Sequence, residues 1–128
     1  MCFCLALHND YFNLWHRFRH ESIPAATDAL VTAGDAHDIQ FDPTEDSSAF
    51  SDENLAQYDA ILFLMNTKEV LNSDQTGALG RYLAHGGNFI AIHSASDALL
   101  TTPIYEQAVG AYFDHHADLQ NAVRVRRR

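Results

Sequence analysis

Two uninterrupted apolar runs, Ala60-Ile61-Leu62-Phe63-Leu64 and Phe89-Ile90-Ala91-Ile92, interrupt an otherwise mixed chain. Neither alternates between apolar and polar residues, which is the pattern of a strand covered on both faces, as in a parallel sheet packed between helices. Residues 2–8 read as a further strand and residues 38–42 as a short one, followed by a polar loop at 43–48. Between these runs the apolar spacing lengthens to that of helices. Ser22 is placed to cap a helix entered through Pro24, which carries Ala26, Ala29, Leu30 and Ala33 inward and stops at Gly34. Ser51, with Asp52 and Glu53 in the first turn, opens a short helix whose dipole those carboxylates complement. Asn72 and Gln75 have capping-box spacing ahead of the stripe Leu79, Tyr82 and Leu83, and Gly86 closes that helix. Thr102-Pro103 starts another helix ending near Gly110, and Val123 and Val125, alternating with arginines, read as the start of a further strand. The βαβα order, without internal repeat, predicts a parallel sheet with right-handed crossovers. The two apolar runs should be parallel neighbours at its centre.

A chain of 128 residues, 47% of them hydrophobic, is expected to form one domain. The formal net charge of −9 conceals an asymmetry, because Arg124, Arg126, Arg127 and Arg128 supply four of only eight basic residues. Before them, four basic residues face seventeen acidic ones, a net of −13. Such a surface repels phosphate backbones and anionic lipid, so neither nucleic-acid nor membrane binding is expected. The basic tail reads as a solvated frayed end, with a docking or localisation patch as the alternative. Cys2 and Cys4 cannot build a disulfide framework or a cysteine zinc site. With no signal-peptide core and no run as long as a membrane span, a cytoplasmic protein is expected.

The chemistry concentrates where the second apolar run ends. His93 follows Ile92 directly, and open parallel sheets bind ligands beyond the carboxyl ends of their strands. His93 is therefore a candidate general base, hydroxyl partner or metal ligand; the alternative is a histidine that packs the strand end. Asp97 either orients that imidazole, binds hydroxyls or caps the next helix. Arg19 and His20 precede a helix N-terminus, a place for anion or hydroxyl recognition. If the ends of the strands after Leu7, Leu64 and Ile92 share one edge, His20, Asn66, His93 and Asp97 gather around one cleft. His8, His16, His37, His85 and His115 read as solvent-facing.

Several separated motifs carry a family resemblance. Phe18-Arg19-His20-Glu21-Ser22-Ile23-Pro24, Thr44-Glu45-Asp46, Phe50-Ser51-Asp52-Glu53-Asn54-Leu55 with Tyr58-Asp59-Ala60, Gly86-Gly87 through His93 to Asp97, and Gly110-Ala111-Tyr112-Phe113-Asp114 with His116 resemble the ThuA-like (trehalose utilisation) family. That family belongs to the class I glutamine amidotransferase-like superfamily. The resemblance implies an α/β flavodoxin-like three-layer sandwich with a mainly parallel sheet. It divides the chain into a divergent segment, 1–17, holding a possible first strand, and the front portion of a ThuA-like domain, 18–128, truncated at its C-terminus. The unpaired edge left by that truncation should make the chain marginally stable and prone to associate.

The same resemblance frames the activity. Superfamily amidotransferases carry a cysteine where this chain has His93 after Ala91-Ile92, so thiolate chemistry is not expected. It implies instead a carbohydrate-related function, with His93 and Asp97 as catalytic candidates and Arg19, His20, Asn66 and His116 as binding candidates for a small sugar-like ligand. A non-catalytic binding module or inactive remnant is the alternative. Converging histidines would suit a divalent metal such as zinc, although no local pair such as His-x-x-x-His occurs. In the loop after the third strand, Lys68 stands where the family favours glycine, and a lysine lacks easy access to positive φ, so that loop should run differently. Ala117 replaces the usual proline.

Overall fold

All five residues of strand β3, Ala60–Leu64, are buried, as an apolar run without alternation requires. The computed structural model describes residues 2–7 and 20–117. In chain order these form β1 (Cys2–Leu7), α1 (Ile23–Asp35), β2 (Ile39–Thr44), α2 (Asp52–Leu55), β3, β4 (Thr67–Lys68), α3 (Ser73–Ala84), β5 (Asn88–Ile92), β6 (Asp97–Ala98) and α4 (Pro103–Val109). Single 3₁₀ turns occupy Ser47–Ala49 and His93–Ser96. Four strands make a parallel sheet in the order β2-β1-β3-β5, and β4 pairs with β6 in a two-stranded parallel ladder beyond it. The protein is thus a flavodoxin-like α/β domain.

Alternate residues of the sheet feed two cores. On one face Leu5, Ile61 and Phe63 pack with Leu55 of α2, Leu79 of α3 and Tyr105 of α4. Phe63 is the hub, its ring lying 5.8 Å from Phe50, 5.2 Å from Phe89 and 5.5 Å from Tyr105. Each such buried side chain contributes roughly 1.5–3 kcal/mol. On the other face Cys4, Leu62 and Leu64 meet Ala26 and Leu30 of α1, which completes the third layer. α1 approaches β2 so closely that a Cβ on Gly34 would stand 2.5 Å from the Ile39 carbonyl oxygen.

The local helix signals behave largely as expected. Asn72 Oδ1 accepts from the Gln75 amide at 3.0 Å while Gln75 Oε1 accepts from the Asn72 amide at 2.8 Å, a complete capping box. Ser51 Oγ accepts from the Asn54 amide, and Gly86 and Gly110 leave α3 and α4 through positive φ, +90° and +79°.

Four expectations are corrected. Ser22 occupies the N-cap position of α1 without a capping hydrogen bond; its hydroxyl points 3.5 Å from Met65 Sδ instead. Of the α1 stripe, Ala26 and Leu30 pack inward but Ala29 and Ala33 are exposed, because the helix docks through Ile23 at one end and Gly34 at the other. β2 runs on through Pro43 and Thr44; among the described residues it is an edge strand, where outer amides need no partner strand. Finally, β5 pairs in parallel with β3, yet among the described residues it forms the sheet's edge rather than its centre, and Ile90 is 44% exposed.

β1 lies between β2 and β3 and pairs with both, so residues 2–7 of the divergent segment are integral to the sheet. The strand expected around Val123 and Val125 lies outside the described residues. No helix among the described residues is long and apolar enough to cross a membrane.

Candidate functional site

The parallel register puts the carboxyl ends of β3 and β5 side by side, with Leu64 opposite Ile92. Each chain then leaves its strand in the same unusual way. Met65, directly after Leu64, has φ +59°, and His93, directly after Ile92, has φ +60°. Left-handed backbone at a non-glycine residue costs of order 1 kcal/mol and persists only where the surroundings impose it. Here the surroundings include the Met65 amide, which donates to the Ile92 carbonyl at 3.1 Å, and the Leu99 amide, which donates to the Lys68 carbonyl at 2.9 Å. The turn His93–Ser96 is further pinned by the buried Tyr105, whose hydroxyl donates to the Ala95 carbonyl at 2.7 Å. Burial pushes the Tyr105 phenol well above the ordinary tyrosine range.

The strained turn presents His93 at the surface, next to His20. Their rings meet edge to face, with centroids 4.5 Å apart and planes at 80°. His20 stands just before α1, where its carbonyl accepts from the Ile23 amide at 3.1 Å. Two of the candidate residues are therefore adjacent in space though separated by the whole first half of the domain. Asn66 follows Met65 and is completely buried.

Asp97 takes a different role. It receives Lys68 Nζ at 2.9 and 3.2 Å, with the lysine more exposed than the carboxylate. That ion pair bridges the β4–β6 ladder, in which Thr67 pairs with Asp97 and Lys68 with Ala98. The expectation that a lysine would divert the loop from positive φ is overturned: Lys68 has φ +63°, held by the ladder on its backbone and by Asp97 on its side chain.

His116 lies in the exposed segment after α4, its Nδ1 2.7 Å from the Ala117 carbonyl and its ring 6.0 Å from that of Phe113. The same segment returns to the His93 turn, because the Phe113 amide donates to the Ser96 carbonyl at 3.0 Å. Arg19 lies outside the described residues. Among the described residues no group of three or more His, Cys, Asp or Glu side chains is disposed to hold a metal ion, and the carboxylate nearest His93 in sequence, Asp97, is bound to Lys68. The structure also displays two features that sequence reading missed. Ser94 buries its hydroxyl beside Asn66's end of the sheet, and Lys68 pairs with Asp97. An opposite charge after each of two successive strands was the available signal for the latter.

A concavity of about 550 Å³ opens at the end of the sheet opposite His93, lined by Tyr58, Asp59, Tyr82, His85 and Asn88 among others. At its rim Arg81 Nε donates to Asp52 Oδ1 at 2.8 Å, which holds the Asp52 carboxyl below its usual range. It lies at the amino ends of β3 and β5, away from His93.

A parallel sheet flanked by helices, with strained turns after two adjacent strands, defines an α/β domain of the flavodoxin-like class. The chain belongs to the ThuA (trehalose utilisation) family, whose model matches residues 12–128. A ThuA-like protein from Bacteroides uniformis has a similar fold, with a TM-score of 0.64 and 19% identity over 83% of this chain. The chain spans 42% of the length of that protein. No curated protein matches the sequence significantly.

Proposed function

We propose that this ThuA-family domain binds a sugar or sugar derivative at the carboxyl ends of β3 and β5, with His93 and His20 as its polar contacts. The observation that carries the reading is the left-handed conformation of His93, which turns an imidazole out of the sheet edge and against that of His20. Strain of this kind is retained where a side chain must be displayed. An imidazole both donates and accepts, which suits sugar hydroxyls, and it can serve as acid or base toward one of them. Thiol-dependent amidotransferase chemistry is not part of the proposal, since a histidine stands where the nucleophile would be and Cys4 is buried within β1.

A purely binding role is the second reading, and one observation favours it. The carboxylate nearest His93 in sequence, Asp97, is engaged by Lys68, whereas a catalytic imidazole is commonly oriented by a carboxylate. Calorimetric titration with trehalose tests the site itself. The wild-type protein should bind, and His93→Gln and His20→Gln should each weaken binding at least about tenfold. Equal affinity in all three proteins would sink the assignment of this pocket. Mass analysis of the sugar after incubation separates conversion from binding alone.

A further inference from the structure

Beyond the paired ends of β3 and β5 lie polar atoms with no partner among the described residues. Asn66 is completely buried, yet neither its Oδ1 nor its Nδ2 is hydrogen-bonded, and the buried Oγ of Ser94 is in the same condition. Both residues stand two positions past the register pair Leu64–Ile92, one on each strand. Buried polar groups are nearly always satisfied, because an orphaned one forfeits its hydration without return. Three orphaned atoms at one sheet edge, beside the histidine turn, mark a place where partners arrive from outside.

The chemistry of those atoms selects the partner. A carboxamide offers one accepting oxygen and two N–H donors, and a serine hydroxyl does both. An anionic oxygen only accepts and would face the lone pairs of Asn66 Oδ1, whereas an ammonium only donates and would face Nδ2. A neutral hydroxyl satisfies both at once. The described cation closest in sequence, Lys68, is moreover committed to Asp97. We infer that Asn66 and Ser94 form the hydroxyl-reading subsite of the pocket and set its preference for a neutral polyol over a phosphorylated or acidic one. The inference rests on the sugar-directed reading above. Because the three atoms are closed to solvent, the ligand reaches them through a shift of the turns at Met65 and His93, and it stabilises the shifted arrangement by supplying the missing partners.

The side-chain amide signals of Asn66, identified in the ¹⁵N spectrum by their loss in Asn66→Asp, read the subsite directly. Trehalose should move those signals in the wild-type protein, and Ser94→Ala should weaken trehalose binding about tenfold while its backbone spectrum still overlays on wild type. Ser94→Cys serves should the alanine variant fail to fold. Trehalose binding that moves His93 but not Asn66, or that Ser94→Ala leaves unaltered, overturns the subsite and spares the histidine pocket. Movement of Asn66 by inorganic phosphate also overturns it. If trehalose does not bind but glycerol still shifts Asn66 in wild type and not in Ser94→Ala, the subsite stands and the sugar reading falls. Silence of Asn66 and His93 alike toward every neutral polyol overturns both.

Discussion

Lys68 Nζ lies 2.9 Å from Asp97 Oδ2, and the backbone of that same lysine sits in the left-handed region at φ +63°. The ion pair is largely exposed on the lysine side and is worth at most about 1 kcal/mol. The conformation costs a similar amount. These two magnitudes nearly cancel, so substitution separates them. Lys68→Gly should leave stability within about 1 kcal/mol of wild type, because relief of the backbone offsets loss of the pair. Lys68→Ala loses the pair and keeps the strain, and should be less stable than the glycine variant by about 1 kcal/mol. Urea midpoints decide this; an alanine variant as stable as glycine would mean that the backbone is not left-handed there.

His93 allows a sharper separation of fold from function. Asparagine tolerates positive φ better than most residues, so His93→Asn should stay within about 0.5 kcal/mol of wild type in denaturant unfolding. It lacks an imidazole to place against His20. Affinity for trehalose should fall at least about tenfold in the same protein. A variant that unfolds early would assign His93 to structure rather than to ligand.

Tyr105 carries a pH dependence that can be signed in advance. Its phenol is buried, donates to the Ala95 carbonyl and is held neutral above the ordinary tyrosine range. The unfolded chain releases that proton first as pH rises, so the folded state binds more protons and stability falls with increasing pH. The contribution is intact below about pH 10 and declines above it, by up to about 1.4 kcal/mol per pH unit. Tyr105→Phe should cost about 1–2 kcal/mol at neutral pH and should flatten the decline between about pH 10 and 11. Chemical unfolding of both proteins across that interval checks the sign.

Gly34 tests the packing of α1 on β2. A methyl group there would meet the Ile39 carbonyl oxygen at 2.5 Å and the Phe41 ring at 2.7 Å, and the carbonyl cannot retreat without moving β2. Gly34→Ala should therefore destabilise by about 1–3 kcal/mol, although alanine is the better helix former. A stabilised variant would show that α1 sits farther from the sheet.

The features legible in the sequence were those fixed by neighbours along the chain. The Asn72 capping box, the Gly86 exit and the apolar run of β3 each depend on a few adjacent residues, and each formed as read. Features decided between distant segments were less legible. Ser22 has the right chemistry for a cap, but its hydroxyl points toward Met65, in the turn after β3. Asp97 was open to three roles, and the choice fell to Lys68 across the β4–β6 ladder. The run Phe89 to Ile92 promised two covered faces; periodicity does not reveal that β5 borders the sheet among the described residues, with Ile90 exposed. Of the candidate site, the pairing of His20 with His93 followed from topology, whereas the left-handed turns at Met65, Lys68 and His93 have no signature in residue type.

The position of β1 between β2 and β3 also bears on how the chain comes to be folded during synthesis. β1 leaves the ribosome before either strand it must pair with, and its two ladders span intervals of more than thirty and more than fifty residues. Contacts so distant in sequence form slowly, because loop closure precedes any gain from pairing. The apolar segment Cys2–Leu7 therefore waits unpaired through the synthesis of α1, and with one edge still unpaired through that of α2. Nascent chains of this protein should depend on cellular chaperones most strongly in the interval that ends when β3 emerges.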